Sequence, residues 1–211
     1  MVTALLDTQV SYLGLRDYTD TWHEMRKLTT QRCPDSPDQV WIVQHPSVYT
    51  LGQSGKEEHI LNPGDIPVIH SDRGGLVTWH GPGQIIAYPL LDLRRWGISV
   101  RELVHALEQA VISLLAIHEV ASHRREGAPG VYVDGAKIAA LGVRVKNGRC
   151  YHGVALNVSN DLEPFSRINP CGMKDMPTTR LYDHGVTPSL DRAEVELGIH
   201  LLAALEREAK H

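Results

Sequence analysis

The sequence predicts an α+β (mixed α/β) domain, and three observations carry that reading. Two segments, near 99–118 and 191–205, repeat apolar residues at the helical period. Short apolar runs such as Val40–Val43 are bounded by turn residues, as buried strands are. Asp134-Gly135 and Asn147-Gly148 are strong two-residue hairpin signals, and hairpins join antiparallel strands. The 211 residues suit one domain spanning 1–211, with no internal repeat or linker. A chain of this size buries roughly 70% of its unfolded surface and needs no staple.

In order, Ser11 to Thr30 reads as a helix, with Leu13, Tyr18, Trp22, Met25 and Leu28 at roughly helical spacing. Cys33-Pro34-Asp35-Ser36-Pro37 ends it. Val40–Val43 and Val48–Leu51 read as strands, and 52–67 as a surface loop. Gln84 to Leu91 is a further strand in which Pro89 limits central pairing. Ser99 to about His118 is the clearest helix. Ser99 and Glu102 have capping-box spacing, and Leu103, Leu107, Val111, Leu114 and Leu115 form its apolar stripe. The two hairpin signals then divide the chain into strands near Val131–Val133, Ala136–Val145 and Arg149–Val158. Asn160 to Pro188 lacks periodicity. Asp191, with Glu194 at the box position, caps a last helix carrying Leu197, Leu201, Leu202 and Leu205.

The totals exclude several classes. The formal net charge of −4, with 22% charged residues, is not the basic excess of a nucleic-acid binder. The cysteines, Cys33, Cys150 and Cys171, are odd in number, far apart and without a CxxC pair. That argues against a disulfide framework and a thiolate zinc site. Met1 to Asp7 lacks the basic start and apolar core of a secretory signal, and no apolar run approaches membrane-spanning length. The expectation is a cytoplasmic protein that contacts neither nucleic acid nor membrane. His118 to His123 is one residue too long for a zinc-protease helix, 52–56 is not a P-loop, and Gly81-Pro82-Gly83 is not a dinucleotide fingerprint. No metal site and no cofactor are expected.

The densest stretch is Arg73-Gly74-Gly75-Leu76-Val77-Thr78-Trp79-His80-Gly81-Pro82-Gly83-Gln84, which holds four glycines. Glycines let a backbone approach a ligand closely, and Thr78 and His80 are polar handles. On the strand 136–145, period two puts Lys137 on one face with Ala139, Leu141, Val143 and Val145, an unusual setting for an ammonium. On the next strand Tyr151, Gly153 and Ala155 share a face, and the two small residues leave room there. Cys150 falls on the opposite face with Val154 and Leu156, which reads as core. Asn169-Pro170-Cys171-Gly172 fits a type I turn with Cys171 third, near the bridge region that active-site residues often occupy. A cysteine attacks as its thiolate and needs a neighbouring base or cation. Lys137 is a candidate for either role, as a neutral amine or as an ammonium.

Arg73-Gly74-Gly75 through Thr78, His80 through Gln84, Gly135 through Ala139, Leu141-Gly142, His152-Gly153, Leu156-Asn157 and Asn169 through Gly172 together resemble the lipoyl(octanoyl) transferases. Trp79 replaces the usual tyrosine. The resemblance implies a biotin/lipoate protein ligase-like fold, two-layer, with a mixed and mostly antiparallel sheet packed with helices. It implies Cys171 as the acyl-thioester nucleophile and Lys137 as its activating partner. It implies an acyl site lined by Arg73, Gly74, Gly75, Leu76, Val77, Thr78, Trp79 and His80, by Ala140, Leu141 and Gly142, and by Gly153, Val154 and Ala155. The implied partners are octanoyl-acyl carrier protein as donor, and lipoyl domains of 2-oxoacid dehydrogenase complexes and the glycine cleavage H protein as acceptors. An ATP-dependent ligase on the same fold would need phosphate contacts and no nucleophilic cysteine. A non-enzymatic acyl-chain binding module would carry no covalent adduct.

Overall fold

The computed structural model describes residues 8–169 and 176–209. In chain order its elements are β1 (Gln9–Leu15), α1 (Tyr18–Gln31), β2 (Gln39–Gln44), β3 (Val48–Leu51), β4 (Val68–His70), β5 (Val77–His80), β6 (Gln84–Leu90), α2 (Leu93–Trp96), α3 (Val100–Ile117), β7 (His123–Arg124), β8 (Val131–Val133), β9 (Ala136–Lys146), β10 (Arg149–Asn157) and α4 (Leu190–Glu208). Single 3-10 turns lie at Glu57–His59, Glu163–Arg167 and Leu181–His184. Among the described residues, a seven-stranded sheet runs β1-β2-β6-β10-β9-β8-β7, and a three-stranded sheet runs β4-β3-β5. Only β1–β2 and β3–β4 are parallel pairs, so the sheets are mixed and mostly antiparallel. No helix among the described residues is long and apolar enough to cross a membrane.

Both hairpins fold as the sequence reads. Asp134, Gly135, Asn147 and Gly148 all take positive φ, the geometry of a type I′ turn. The second hairpin sets Arg149 opposite Lys146 and carries the pairing through Leu156 opposite Ala139. α3 has its capping box, Ser99 and Glu102, and buries all five stripe leucines and valines completely. With α4 it packs on one face of the large sheet, over Val40, Ile42, Ile85, Val154 and Leu156. Cys150 belongs to this core, and burial pushes its thiol up to about 12. α1 covers the opposite face, where Met25 meets Trp41, Tyr88 and Tyr151. The small sheet closes over its own core of Tyr49, Leu51, Val77, Trp79 and Ile168.

Two expectations need correction. The first helix does not begin at Ser11: Gln9–Leu15 is an edge strand parallel to β2. The Asp17 side chain accepts from the Asp20 N–H at 3.0 Å and starts the helix at Tyr18. That cap outranks the run of apolar residues that crosses it. The last helix is capped by Ser189, which accepts from the Arg192 N–H at 3.3 Å, and Asp191 lies in the first turn. Pro89 does limit pairing, on one side only. β6 pairs with β2 as far as Leu90, whereas its ladder with β10 ends at Ala87 opposite Val154.

The corrected cap gives a direct comparison. Ser189→Ala is expected to lose about 1 kcal/mol of unfolding free energy in urea. Asp191→Ala is expected to lose only a few tenths, about the value of a favourable charge near a helix N-terminus. The opposite ranking would restore Asp191 as the cap.

Candidate active site

A cavity of about 430 Å³ lies beside β9 and β10 and beneath the stretch that begins at Arg73. Arg73, Gly74, Gly75, Leu76, Val77, Thr78, His80, Ala140, Leu141, Gly142, Gly153, Val154 and Ala155 line it, and Lys137 lines it too. Trp79 is placed elsewhere. Its ring packs in the core of the small sheet, edge-on to Phe165 with centroids 5.5 Å apart. Cys171 and its turn lie outside the described residues. The chain is described again from Met176, which lines the same cavity.

The elements explain these placements. Val77–His80 of the glycine-rich stretch is strand β5, paired to β3 in the small sheet, so these residues form a wall rather than a free loop. The Gly74 N–H donates to the Val143 carbonyl at 3.0 Å and holds that wall against β9. Gly153 answers a second need besides room in the cavity. A Cβ there would lie 2.0 Å from the Ala87 carbonyl oxygen, so only glycine lets β6 approach β10 at this point.

Arg73 is buried, and its side-chain hydrogen bonds run to uncharged acceptors. Nε and Nη2 reach Thr50 Oγ1 at 3.0 and 2.9 Å. Nη2 also reaches the Thr50 and Leu76 carbonyls at 2.6 and 3.0 Å. Burial lowers its pKa, but a guanidinium stays charged, so Arg73 is a fixed positive charge in the site. The histidines around it are neutral. Burial takes His45 down to about 4 and His80 to about 3.

Lys137 sits where β9 meets the returning chain. Its N–H donates to the Pro177 carbonyl at 2.8 Å, and its carbonyl accepts from the Thr179 N–H at 3.1 Å. Its Nζ donates to the Pro129 carbonyl at 3.2 Å and lies 5.3 Å from the Tyr132 ring. Glu108 on α3 anchors this loop, taking the Gly130 N–H at 3.0 Å and the Arg124 guanidinium at 3.0 Å. Gly130 has φ +142°, and a Cβ there would lie 2.8 Å from the Ala139 carbonyl oxygen and 3.0 Å from Lys137 Cε.

Several lining residues escaped the sequence reading. Tyr18 read only as a position on a helical stripe, yet it lines the cavity with Tyr88 and His152. His152 has φ +60° in mid-strand. A regular strand would send it and Tyr151 to opposite faces. Instead both reach Asp72: the Tyr151 hydroxyl donates to Oδ2, and His152 Nε2 lies 3.0 Å from Oδ1. Trp22 Nε1 donates to Oδ1 at 2.8 Å. Burial lowers His152, so it gives its Nε2–H to the carboxylate as a neutral ring. Burial alone would raise Asp72, but the hydrogen bonds from His152, Tyr151 and Trp22 outweigh it and hold the carboxyl well below its usual range. No sequence spacing links 72 to 151 and 152; only the fold does.

A carboxyl depressed in the folded state stabilises the fold above its unfolded pKa of about 3.9, and that contribution is lost as pH falls. The unfolding free-energy gap between wild type and Asp72→Asn should therefore be widest near neutrality and shrink below about pH 4. Urea titrations from pH 7 to pH 3 measure it. A gap that stays constant would mean that charge on Asp72 contributes nothing.

The chain is similar to known proteins at both levels. Residues 17–197 match the family model described as lipoyl protein ligase A/B catalytic domain. The octanoyltransferase of Halorhodospira halophila is 60% identical over 210 residues, 100% of this chain and 97% of that one. That of Alkalilimnicola ehrlichii is 60% identical over 95% of this chain and 94% of its own. A crystal structure of lipoate-protein ligase A bound with ATP superposes with TM-score 0.79 at 13% identity, covering 94% of this chain and 85% of that one. Biotin protein ligase from Aquifex aeolicus gives TM-score 0.57 at 11% identity, over 96% and 71%. At such identities the structures report the fold alone.

Proposed function

The chain belongs to the lipoyl protein ligase A/B catalytic domain family, among its octanoyltransferases, and we propose that it transfers octanoyl groups through a thioester on Cys171. The donor is octanoyl-acyl carrier protein and the acceptor is a lysine of lipoyl domains, in lipoate biosynthesis. No ATP is consumed. One observation carries the reading: Lys137, the glycine-rich wall and Met176, five residues past Cys171, line one cavity.

The chemistry runs in two balanced steps. The Cys171 thiolate attacks the donor carbonyl, the tetrahedral oxyanion collapses, and the carrier leaves as a thiolate that takes up a proton. The acceptor amine then attacks the Cys171 thioester and loses a proton to a base, the C–N bond forms as the C–S bond breaks, and Cys171 departs as a thiolate. Lys137 favours the thiolate at the start of the first step. Its position between the Pro129 carbonyl and the Tyr132 ring supports that role. Ile86, Leu141, Val143 and Val154 give the cavity an apolar side for the acyl chain. At about 0.8 kcal/mol per buried CH₂, an octanoyl chain gains several kcal/mol there.

Intact-mass analysis after incubation with octanoyl carrier protein, without ATP, should show one octanoyl group on the wild type and none on Cys171→Ser. A requirement for ATP, or full turnover by Cys171→Ser, would sink the mechanism. Lys137→Ala should fold normally and slow acylation at neutral pH, and wild-type turnover would remove Lys137 from the mechanism. Gly130→Ala should also slow acylation, because the new methyl presses on the Ala139 carbonyl of β9 and on the lysine side chain. Unchanged acylation in this variant would show that the rate does not depend on that position.

A further inference from the structure

His80 is 5% exposed, lines the cavity, and has a proton position that the structure determines. Its Nδ1 lies 2.7 Å from Gln84 Oε1. Gln84 Nε2 faces the Trp79 carbonyl at 3.3 Å and Asn157 Oδ1 at 2.9 Å. A carbonyl only accepts, so the amide nitrogen must be the end that faces it. Asn157 is held the same way, its Nδ2 donating to the Thr179 carbonyl at 3.0 Å. Gln84 therefore offers His80 an oxygen, and Nδ1 carries the hydrogen. Burial above all, with the nearby His45 and Arg73, keeps the ring's pKa near 3, so the ring has only that one proton. Nε2 is a bare lone pair with no hydrogen-bond partner among the described residues. The ring that carries it lines the cavity.

An acceptor buried without a donor costs about 1–3 kcal/mol, so a group that fills this part of the cavity is favoured if it brings an N–H or O–H. An alkyl chain brings none, and a thioester carbonyl only accepts. The amine of the incoming lysine donates. His80 also belongs to the same chain of contacts as Lys137: Thr179 bonds the Lys137 backbone and Asn157, Asn157 bonds Gln84, and Gln84 bonds His80.

We propose that His80 is a catalytic residue of the aminolysis step, with Gln84 and Asn157 as positioning residues that set its tautomer. This rests on the Cys171 thioester reading. Nε2 accepts a hydrogen bond from the acceptor amine and aims the nitrogen lone pair at the acyl carbon. As the C–N bond forms and the C–S bond breaks, the amine proton passes to Nε2. The imidazolium then gives a proton to the departing Cys171 thiolate, which restores both groups. In the resting site burial keeps the ring neutral and Nε2 free to accept, and the oxyanion of the tetrahedral intermediate supplies the negative charge that favours the imidazolium as it forms.

The two half-reactions separate this role from a general one. Cys171 is loaded from octanoyl carrier protein and followed by intact mass; transfer from the loaded enzyme to an unmodified lipoyl domain is then timed. In His80→Ala, loading should stay within about threefold of wild type, while transfer slows about 100-fold or more. Added imidazole should restore part of the transfer. His80→Phe, which keeps a ring to stack on Tyr18 at 5.8 Å, should show the same split if the alanine variant folds poorly. Gln84→Leu should slow transfer about tenfold by releasing the tautomer. Equal losses in loading and transfer would overturn the proposal, assigning His80 to pocket shape or to the donor's arm. Wild-type transfer by both His80 variants, or no rescue by imidazole, would overturn it too. No octanoyl adduct on the wild type would instead remove the Cys171 reading beneath it.

Discussion

The register of the hairpin from β9 to β10 is the constraint on which the site depends. Asn147-Gly148 sets Arg149 opposite Lys146, and every later pair follows from that turn. A slip of one residue would turn each strand's buried set to its other face. It would carry Cys150, Val154 and Leu156 out of the helix-covered core and put Tyr151 and Ala155 in their place. It would also part Asn157 from Gln84, with which it pairs across to β6. The large core and the fine placement of cavity residues are thus one choice, made by a two-residue turn.

The cavity concentrates polarity without concentrating charge. Among the described buried groups in and around it, Arg73 keeps a fixed charge, while burial keeps His45, His80 and His152 neutral. The negative partner of the region, Asp72, sits at the edge with 28% of its side chain exposed. There its charge remains partly hydrated while its oxygens take donors from Trp22, Tyr151 and His152. Neutral rings beside one guanidinium suit a site where negative charge appears briefly on an oxyanion and a thiolate. Preorganised donors act most strongly where water is excluded.

Local signals made much of this legible from the chain. The hairpins, the α3 cap and stripe, and the strand at 131–133 needed only turn chemistry and periodicity, and each is where those rules put it. The glycine-rich stretch marked the cavity wall by composition. What stayed hidden depends on distant residues. Apolar spacing near Leu13 mimics a helix, but an edge strand needs β2 to exist. The small sheet joins 48–51, 68–70 and 77–80, short runs that mean little until they pair. The family resemblance implies the whole run Arg73–His80 as lining, because a motif shows sequence adjacency and not which way a side chain faces. β5 alternation buries Trp79 in the small core while Thr78 and His80 line the cavity. Gln84 stood inside the stretch from the start, yet its orientation comes from carbonyls at Trp79 and, through Asn157, at Thr179.

The fold itself does not choose between ligation with ATP and transfer without it. A lipoate ligase bound with ATP shares this architecture at 13% identity, and a biotin ligase shares it more loosely. Both chemistries need an apolar slot and a way to bring in an acceptor amine. They differ in what the acyl group is attached to when the amine arrives. An adenylate leaves as a phosphate already stable as an anion, whereas a cysteine thiolate is the stronger base and gains more from a proton delivered as it departs. Under the proposed mechanism a transferase therefore benefits from a neutral acceptor that takes the amine's proton and returns it to sulfur. On that mechanism the carbonyl-pinned chain through Asn157 and Gln84 presents such an acceptor at His80, and what separates the two chemistries is the orientation of a few side chains on a shared scaffold.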